Sequence, residues 1–285
     1  MKERKIKTIV EGNWVMEGAG VKLKRIFGFG DTALTDPFLL LDNFGSKDPA
    51  DYIAGFPWHP HRGIETITYM IEGVVKHGDS LGNSGVIKSG QVQWMTAGSG
   101  IVHQEMPQAY EGNMRGFQLW ANLPKKEKMT SPRYRDIRAE DMPEYKGKGF
   151  KMKLICGDYG GVKGPAQDIF IDPWFFDVQA EPGAEFKLKV RPEDNVLCSV
   201  FEGKGWFDAK KTQAVGPGQL AVLEEGETVA CSASNEGLRF MLIAGKPLKE
   251  PVAWRGPIVM NTEAELKRAF EEYRKGTFIK TRNLS

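Results

Sequence analysis

Three of the four histidines in this 285-residue chain fall in two short segments. The first reads Phe56-Pro57-Trp58-His59-Pro60-His61-Arg62-Gly63-Ile64-Glu65-Thr66, and the second Gly98-Ser99-Gly100-Ile101-Val102-His103-Gln104-Glu105. In an extended strand, residues two apart project from the same face. A strand running on from His59 puts His59, His61 and Glu65 on one face, and a later strand does the same for His103 and Glu105. Opposed across a small barrel, two such faces bring three imidazoles and at least one carboxylate to a point. That is a metal site.

Neutral imidazoles with a carboxylate suit Fe, Mn, Cu, Ni or Zn. A closed structural zinc site is normally four-coordinate and cysteine-containing. No sulfur stands beside these histidines, so positions open to water or substrate are expected. Iron, as Fe(II), is the first expectation because N/O ligands with free positions support O2 chemistry, with Mn, Ni, Cu and Zn as alternatives. Two acids compete for the fourth position. Glu105 projects alongside His103, whereas Glu65 is roughly 13 Å of strand from His61. Geometry favours Glu105, leaving Glu65 to line the pocket or to orient an imidazole through its second nitrogen.

The remaining candidates have plainer readings. His77 lies in Lys76-His77-Gly78-Asp79-Ser80-Leu81-Gly82-Asn83-Ser84-Gly85, a run dense in turn formers, and is expected to be solvated or turn-bonded. Trp58, Trp94 and Trp120 fit either the wall of an aromatic pocket or ordinary core. Arg62 reads by default as a surface ion pair, and Lys125 to Lys128 as a solvated charge run.

The elements that must position these residues are strands. Lys5 to Val10, Phe38 to Asp42, Gln91 to Thr96 and Gly116 to Leu123 alternate or form short apolar runs between turn residues, as in a sandwich or barrel. Pro124 to Gly149, rich in Lys, Glu, Arg and Pro, reads as an inter-domain linker that could carry a short strand. Beyond it the pattern returns: Asn195 to Gly203 resembles the segment ending at Gly73, and Gly218 to Leu223 resembles Gly90 to Met95, which suggests an internal duplication. The second copy holds no histidine. Thr262-Glu263-Ala264-Glu265 is a capping box opening an amphipathic helix with Leu266, Ala269, Phe270 and Tyr273 on one side, stopped at Gly276.

Bulk properties narrow the class. With 33 glycines the chain exceeds the usual level of about 7%, consistent with many turns. A net charge of +2 argues against direct nucleic-acid binding, which needs a concentrated basic face, and no membrane association is expected. The three cysteines, Cys156, Cys198 and Cys231, form no CxxC pair, which points to a reducing compartment. No signal-peptide core follows the charged N-terminus, and no apolar run approaches the roughly 18 residues of a membrane span. A cytoplasmic location is expected.

The two histidine segments, with Asp36-Pro37-Phe38-Leu39-Leu40-Leu41-Asp42, Gly116 to Pro124 and Gly256 to Thr262, resemble the pirin family of the cupin superfamily over nearly the whole chain. The resemblance implies an all-β fold of two tandem cupin barrels (double-stranded β-helix, or jelly-roll) with a short C-terminal helix. Residues 1–135 would form the N-terminal metal-binding domain and 145–285 a C-terminal cupin domain without metal ligands. The matching pirin ligands are His59, His61, His103 and Glu105, usually around iron, although the generic cupin motif takes the acid after HxH, here Glu65. The resemblance further implies a quercetin 2,3-dioxygenase-type reaction, in which a flavonol-like aromatic substrate is opened with O2 and Glu105 is both ligand and proton acceptor. Other pirins act as redox-responsive iron proteins that bind a transcription factor or a metabolic enzyme. A cupin isomerase or a different small-molecule oxygenase would use the same ligands. Fold alone does not decide among these. The enzyme reading comes first because catalysis, unlike docking, needs an accessible metal.

Overall fold

The computed structural model describes residues 1–280. In chain order its first twelve strands are β1 (Ile6–Glu11), β2 (Asn13–Glu17), β3 (Val21–Phe27), β4 (Phe38–Ser46), β5 (Phe56–His61), β6 (Ile64–Glu72), β7 (Val74–Asp79), β8 (Ser84–Lys88), β9 (Val92–Thr96), β10 (Ile101–Pro107), β11 (Met114–Asn122) and β12 (Arg133–Ile137). Two compact units share the chain. One takes Trp14–Arg25, Phe38–Ala139 and everything from Leu248; the other takes Met1–Asn13, Ile26–Pro37 and Glu140–Pro247. The units therefore interchange their ends, where the sequence reading drew a single cut between 135 and 145.

In the histidine-bearing unit a seven-stranded sheet runs β12-β9-β6-β11-β4-β3-β2 and a four-stranded sheet β5-β10-β7-β8. Period-two alternation decides what each strand turns inward. Along β10, Ile101, His103, Glu105 and Pro107 are buried while the residues between them are half-exposed. His103 stands opposite His59 on one neighbour and Asp79 on the other, and Glu105 stands opposite His77. On the larger sheet Thr68 is level with Gln118 and Gln93. Thr68 and Gln118 both hydrogen-bond Glu105, so the two inner faces meet in one lumen. Val21, Leu23, Phe44, Met70, Val75 and Met114 form an apolar cluster in this unit.

The other unit is built on an eight-stranded sheet whose middle strands are Asn195–Trp206, Thr228–Gly245 and Trp174–Ala180. Phe176, Val200, Phe207, Phe240 and Leu242 are among the members of its apolar core cluster. Since all four histidines lie between residues 59 and 103, this unit cannot repeat the imidazole cluster.

The stretch read as a linker is built into both units. Its first part supplies β12, paired with β9, and its second part a strand over Glu144–Gly147. Lys128, expected in solvent, is buried: Nζ donates to Gly63 O, Asn122 Oδ1 and Val259 O at 2.8, 2.5 and 3.0 Å. Three acceptors match the three ammonium N–H groups, even though burial draws its pKa down to about 7.

The C-terminal helix spans Glu263–Arg274 and keeps the expected capping box, Glu265 N donating to Thr262 Oγ1 and Thr262 N to Glu265 Oε2. Leu266 and Ala269 pack against Ile258, Met260 and Phe278, which places the helix on the histidine-bearing unit. Among the described residues no helix is long and apolar enough to cross a membrane.

Candidate metal centre

The strand carrying two of the histidines is shaped by its prolines. Pro57 and Pro60 have no N–H to give to a ladder, so β5 belongs on a sheet edge, and it is the terminal strand of its sheet. Gly63 then turns the chain at φ +77°, where a Cβ would lie 1.9 Å from Val259 O; only glycine fits there. The chain leaves one sheet at His61 and enters the other at Ile64. Glu65 therefore does not continue the parity of His59 and His61. Its carboxylate accepts from Thr96 Oγ1 at 2.6 Å, and burial raises its pKa. The continuous strand assumed from His59 to Glu65 is broken by the turn.

His59, His61 and His103 converge, with ligand atoms within 4.8 Å of one another and ring centroids 4.4 to 5.0 Å apart. His59 Nδ1 lies 2.8 Å from Pro57 O, and His61 Nδ1 lies 3.0 Å from Pro257 O. A carbonyl oxygen only accepts, so each Nδ1 carries the hydrogen and each Nε2 keeps a bare lone pair. Those two Nε2 atoms face each other at 3.0 Å. Lone pairs so placed repel unless a proton or a cation joins them. Burial first, then the neighbouring imidazoles, push His61 and His103 well below the ordinary histidine range, so the proton is disfavoured. Both ring nitrogens of buried His103 lack a hydrogen-bond partner among the described residues. Three converging imidazoles, two of them held by carbonyls at Nδ1 and the third with both nitrogens unspent, fit a metal ion.

A family model described as "Pirin" matches residues 20–121, which include all three histidines, and one described as "Pirin C-terminal cupin domain" matches 175–279. The chain belongs to the pirin family. A relative from Pseudomonas aeruginosa named "Putative quercetin 2,3-dioxygenase PA3240" is 44% identical over 273 residues, covering 93% of this chain and 94% of its own. A "Pirin-like protein" from Caulobacter vibrioides is 41% identical over 280 residues, covering 98% and 100%. The crystal structure of a quercetin 2,3-dioxygenase from Acinetobacter baumannii superimposes with a TM-score of 0.90 at 34% identity, over 97% of this chain and 99% of that one.

Around the triad of this pirin, the other site residues distribute unevenly. Glu105 is buried on the same strand face as His103, and its carboxylate accepts from Thr68 Oγ1 at 2.9 Å and from Gln118 Nε2 at 3.1 Å on each oxygen. Of the three tryptophans, only Trp120 meets the triad, edge-on to His61 at 5.0 Å. Trp94 is core and Trp58 is 52% exposed. Trp254, from the returning C-terminal segment, stands 6.0 Å from Trp120. Arg62 is not a surface residue. It is buried, with Nε on Ser99 O, one terminal nitrogen on Phe278 O and the other on Glu272, at 2.7 to 2.8 Å.

His77, expected in solvent, is also buried, because its segment continues as β7 and β8 and the register turns the ring inward opposite Glu105. The missed signal was the parity of His77 with Asp79, hidden by the surrounding turn formers. Next to Glu105, Thr68 and Gln118 the lumen leaves a cavity of about 30 Å³, room for a water but not for a flavonol. A larger cavity of about 490 Å³ lies in the other unit, by Phe150, Pro182 and Arg239, and touches none of these residues.

The depressed histidines carry a pH signature. Their folded pKa lies below the unfolded value near 6.5, so as pH falls the unfolded chain takes up protons that the folded metal-free protein refuses. The stability they contribute is complete above about pH 6.5 and declines below it. Urea midpoints of metal-free protein at about pH 7.5 and about pH 5.5 are expected to fall accordingly, and a His103→Leu variant to fall less. A midpoint independent of pH would contradict the neutral-triad assignment.

Proposed function

We propose that this pirin is a metal-dependent dioxygenase of the quercetin 2,3-dioxygenase type, acting on a flavonol-like aromatic substrate with O2. The observation that carries the reading is the converging triad, with His59 half-exposed while His61 and His103 are buried. Relatives bearing the quercetin dioxygenase name, at 44% and 34% identity, support it. His59, His61 and His103 would hold the metal, with Glu105 as the fourth ligand and Fe(II) as the ion best suited to this N/O set and to O2. When bound, the metal supplies Lewis acidity and a common point on which substrate and O2 are oriented.

The protein residues have separable tasks. Glu105 accepts the proton of the flavonol 3-hydroxyl. Thr68 and Gln118 fix its carboxylate so that it meets the substrate oxygen without reorganising. Trp120 packs on His61 and gives the site an apolar wall. Because the lumen beyond Glu105 is too small, the flavonol enters from the half-exposed His59 side. In the balanced reaction, quercetin and O2 give the ring-opened ester, which keeps both oxygen atoms, and CO.

The test is aerobic turnover of quercetin by protein loaded in turn with Fe(II), Mn(II), Ni(II), Cu(II) and Zn(II). Equal O2 uptake and CO release, absent in His59→Ala, is expected; no turnover with any of these metals would remove the proposal. Gln118→Leu deletes the bidentate contact to Glu105 and is expected to lower kcat about 10- to 100-fold while metal content is kept. An unchanged kcat would deny Gln118 its part in orienting Glu105.

A further inference from the structure

On the wall of the lumen, away from the triad, stand two buried polar side chains that the proposed mechanism leaves unused. His77 on β7 is 6% exposed, and neither of its ring nitrogens has a hydrogen-bond partner among the described residues. Tyr134 on β12 stacks on it, with ring planes 15° apart and centroids at 5.9 Å, and the buried Tyr134 hydroxyl is likewise without a partner. The two come from different sheets, His77 from the smaller and Tyr134 from the larger.

Both face into the lumen that holds Glu105. His77 is the cross-strand neighbour of Glu105, and such neighbours have Cβ atoms only about 5 Å apart. Tyr134 is level with Met95, and Met95 with Thr66, which has the parity of Thr68, the residue that bonds Glu105. Electrostatics agree with this placement: His77 is among the groups lowering His103, and Asp79 and Glu105 are among those raising Tyr134, after burial in each case. The ring of His77 has its place because Gly85 lies opposite; a Cβ there would come within 2.6 Å of His77 Nε2.

Stacking alone asks for apolar rings. A histidine and a tyrosine hydroxyl buried together, with three hydrogen-bonding atoms unspent, lose their hydration unless something supplies partners. We propose that His77 and Tyr134 are positioning residues that hydrogen-bond a small, oxygen- or nitrogen-rich ligand seated beside the histidine triad, holding its outer atoms against the lumen wall. This rests on the metal-site reading above and extends it to a second wall of the same site. The ligand class is set by chemistry: both side chains are buried against the lumen, and their three unspent atoms offer donors and an acceptor to a small polar group.

The test uses full-length protein loaded with Co(II) and azide as the probe, followed through the visible spectrum. Tyr134→Phe and His77→Phe keep the stacked rings and remove the hydrogen-bonding atoms. Each is expected to weaken azide binding about tenfold, as loss of one charge-assisted hydrogen bond would, with Co(II) content and thermal midpoint unchanged. His77→Gln, which restores a donor and an acceptor, is expected to recover part of the loss. Azide affinity within about twofold of the unmodified protein in both Phe variants would overturn the inference. So would variants that lose Co(II) while the fraction still loaded binds azide normally. Unmodified protein that takes up Co(II) but no azide would instead bring down the open-site reading itself, and this inference with it.

Discussion

Replacing His103 with alanine is expected to weaken metal binding by at least about 100-fold, more than the loss of an orienting partner outside the ligand set. The remaining His59 and His61 still face each other, but two nitrogens cannot hold an ion that three were arranged to hold. The effect should be confined to the metal. Among the described residues neither nitrogen of His103 has a hydrogen-bond partner, so its removal breaks none of the hydrogen bonds described. Metal-free protein and variant should therefore melt at similar temperatures. The stabilisation that added metal confers, about 2.7 kcal/mol at 100 times Kd, should vanish in the variant. Glu65→Gln is the contrasting case, since its carboxylate bonds Thr96 and lies outside the triad; its metal content should be that of the unmodified protein. Metal analysis after dialysis, with melting curves with and without metal, reads all three proteins. Full metal content in His103→Ala, or loss of metal in Glu65→Gln, would reverse the assignment of ligands.

Arg62→Met is expected to cost about 2–4 kcal/mol of stability, because it leaves the carbonyl oxygens of Ser99 and Phe278 without their buried donor, while the partly exposed Glu272 keeps Lys280. Arg62 follows His61 directly and reaches Ser99 O, Phe278 O and Glu272, so one guanidinium fastens the chain end beside the metal strand. Phe278 also lies under it, with its ring centroid 4.2 Å away. The returning segment in turn positions one ring of the triad, since Pro257 O fixes the tautomer of His61. Loss of Arg62 should therefore lower both the urea midpoint and the metal affinity. A stability change below about 1 kcal/mol would place Arg62 among ordinary surface ion pairs.

The histidine cluster was legible because it depends on composition and period-two spacing, both of which survive without tertiary knowledge. Strand parity put His59 with His61, but the two histidine strands expected to oppose each other across the barrel are hydrogen-bonded neighbours in one sheet, with His103 level with His59. The face expected to be shared by Glu65, His59 and His61 is lost for a physical reason: Gly63 adopts a left-handed conformation under Val259 O, so the strand turns before the acid is reached. The period is reset at that turn. Arg62, Lys128 and His77 were assigned to solvent because polar residues in charged or turn-rich stretches usually belong there. Each is buried by partners distant in sequence, Glu272 and Phe278 for Arg62, Val259 for Lys128 and Tyr134 for His77, and no local pattern announces such partners. The same limit hid the interchange of chain ends between the two units, whereas the helix of Glu263–Arg274 was readable from its own capping residues.

The central claim is that three imidazoles share one ion and leave a side of it open to an outside molecule. X-ray absorption at the iron edge, on protein loaded with a single equivalent of Fe(II), tests it most directly. The expected spectrum shows outer-shell scattering from several imidazole rings in the first state and a changed first shell once quercetin is added without O2. A spectrum lacking imidazole scattering, or one that quercetin leaves unaltered, would contradict the account.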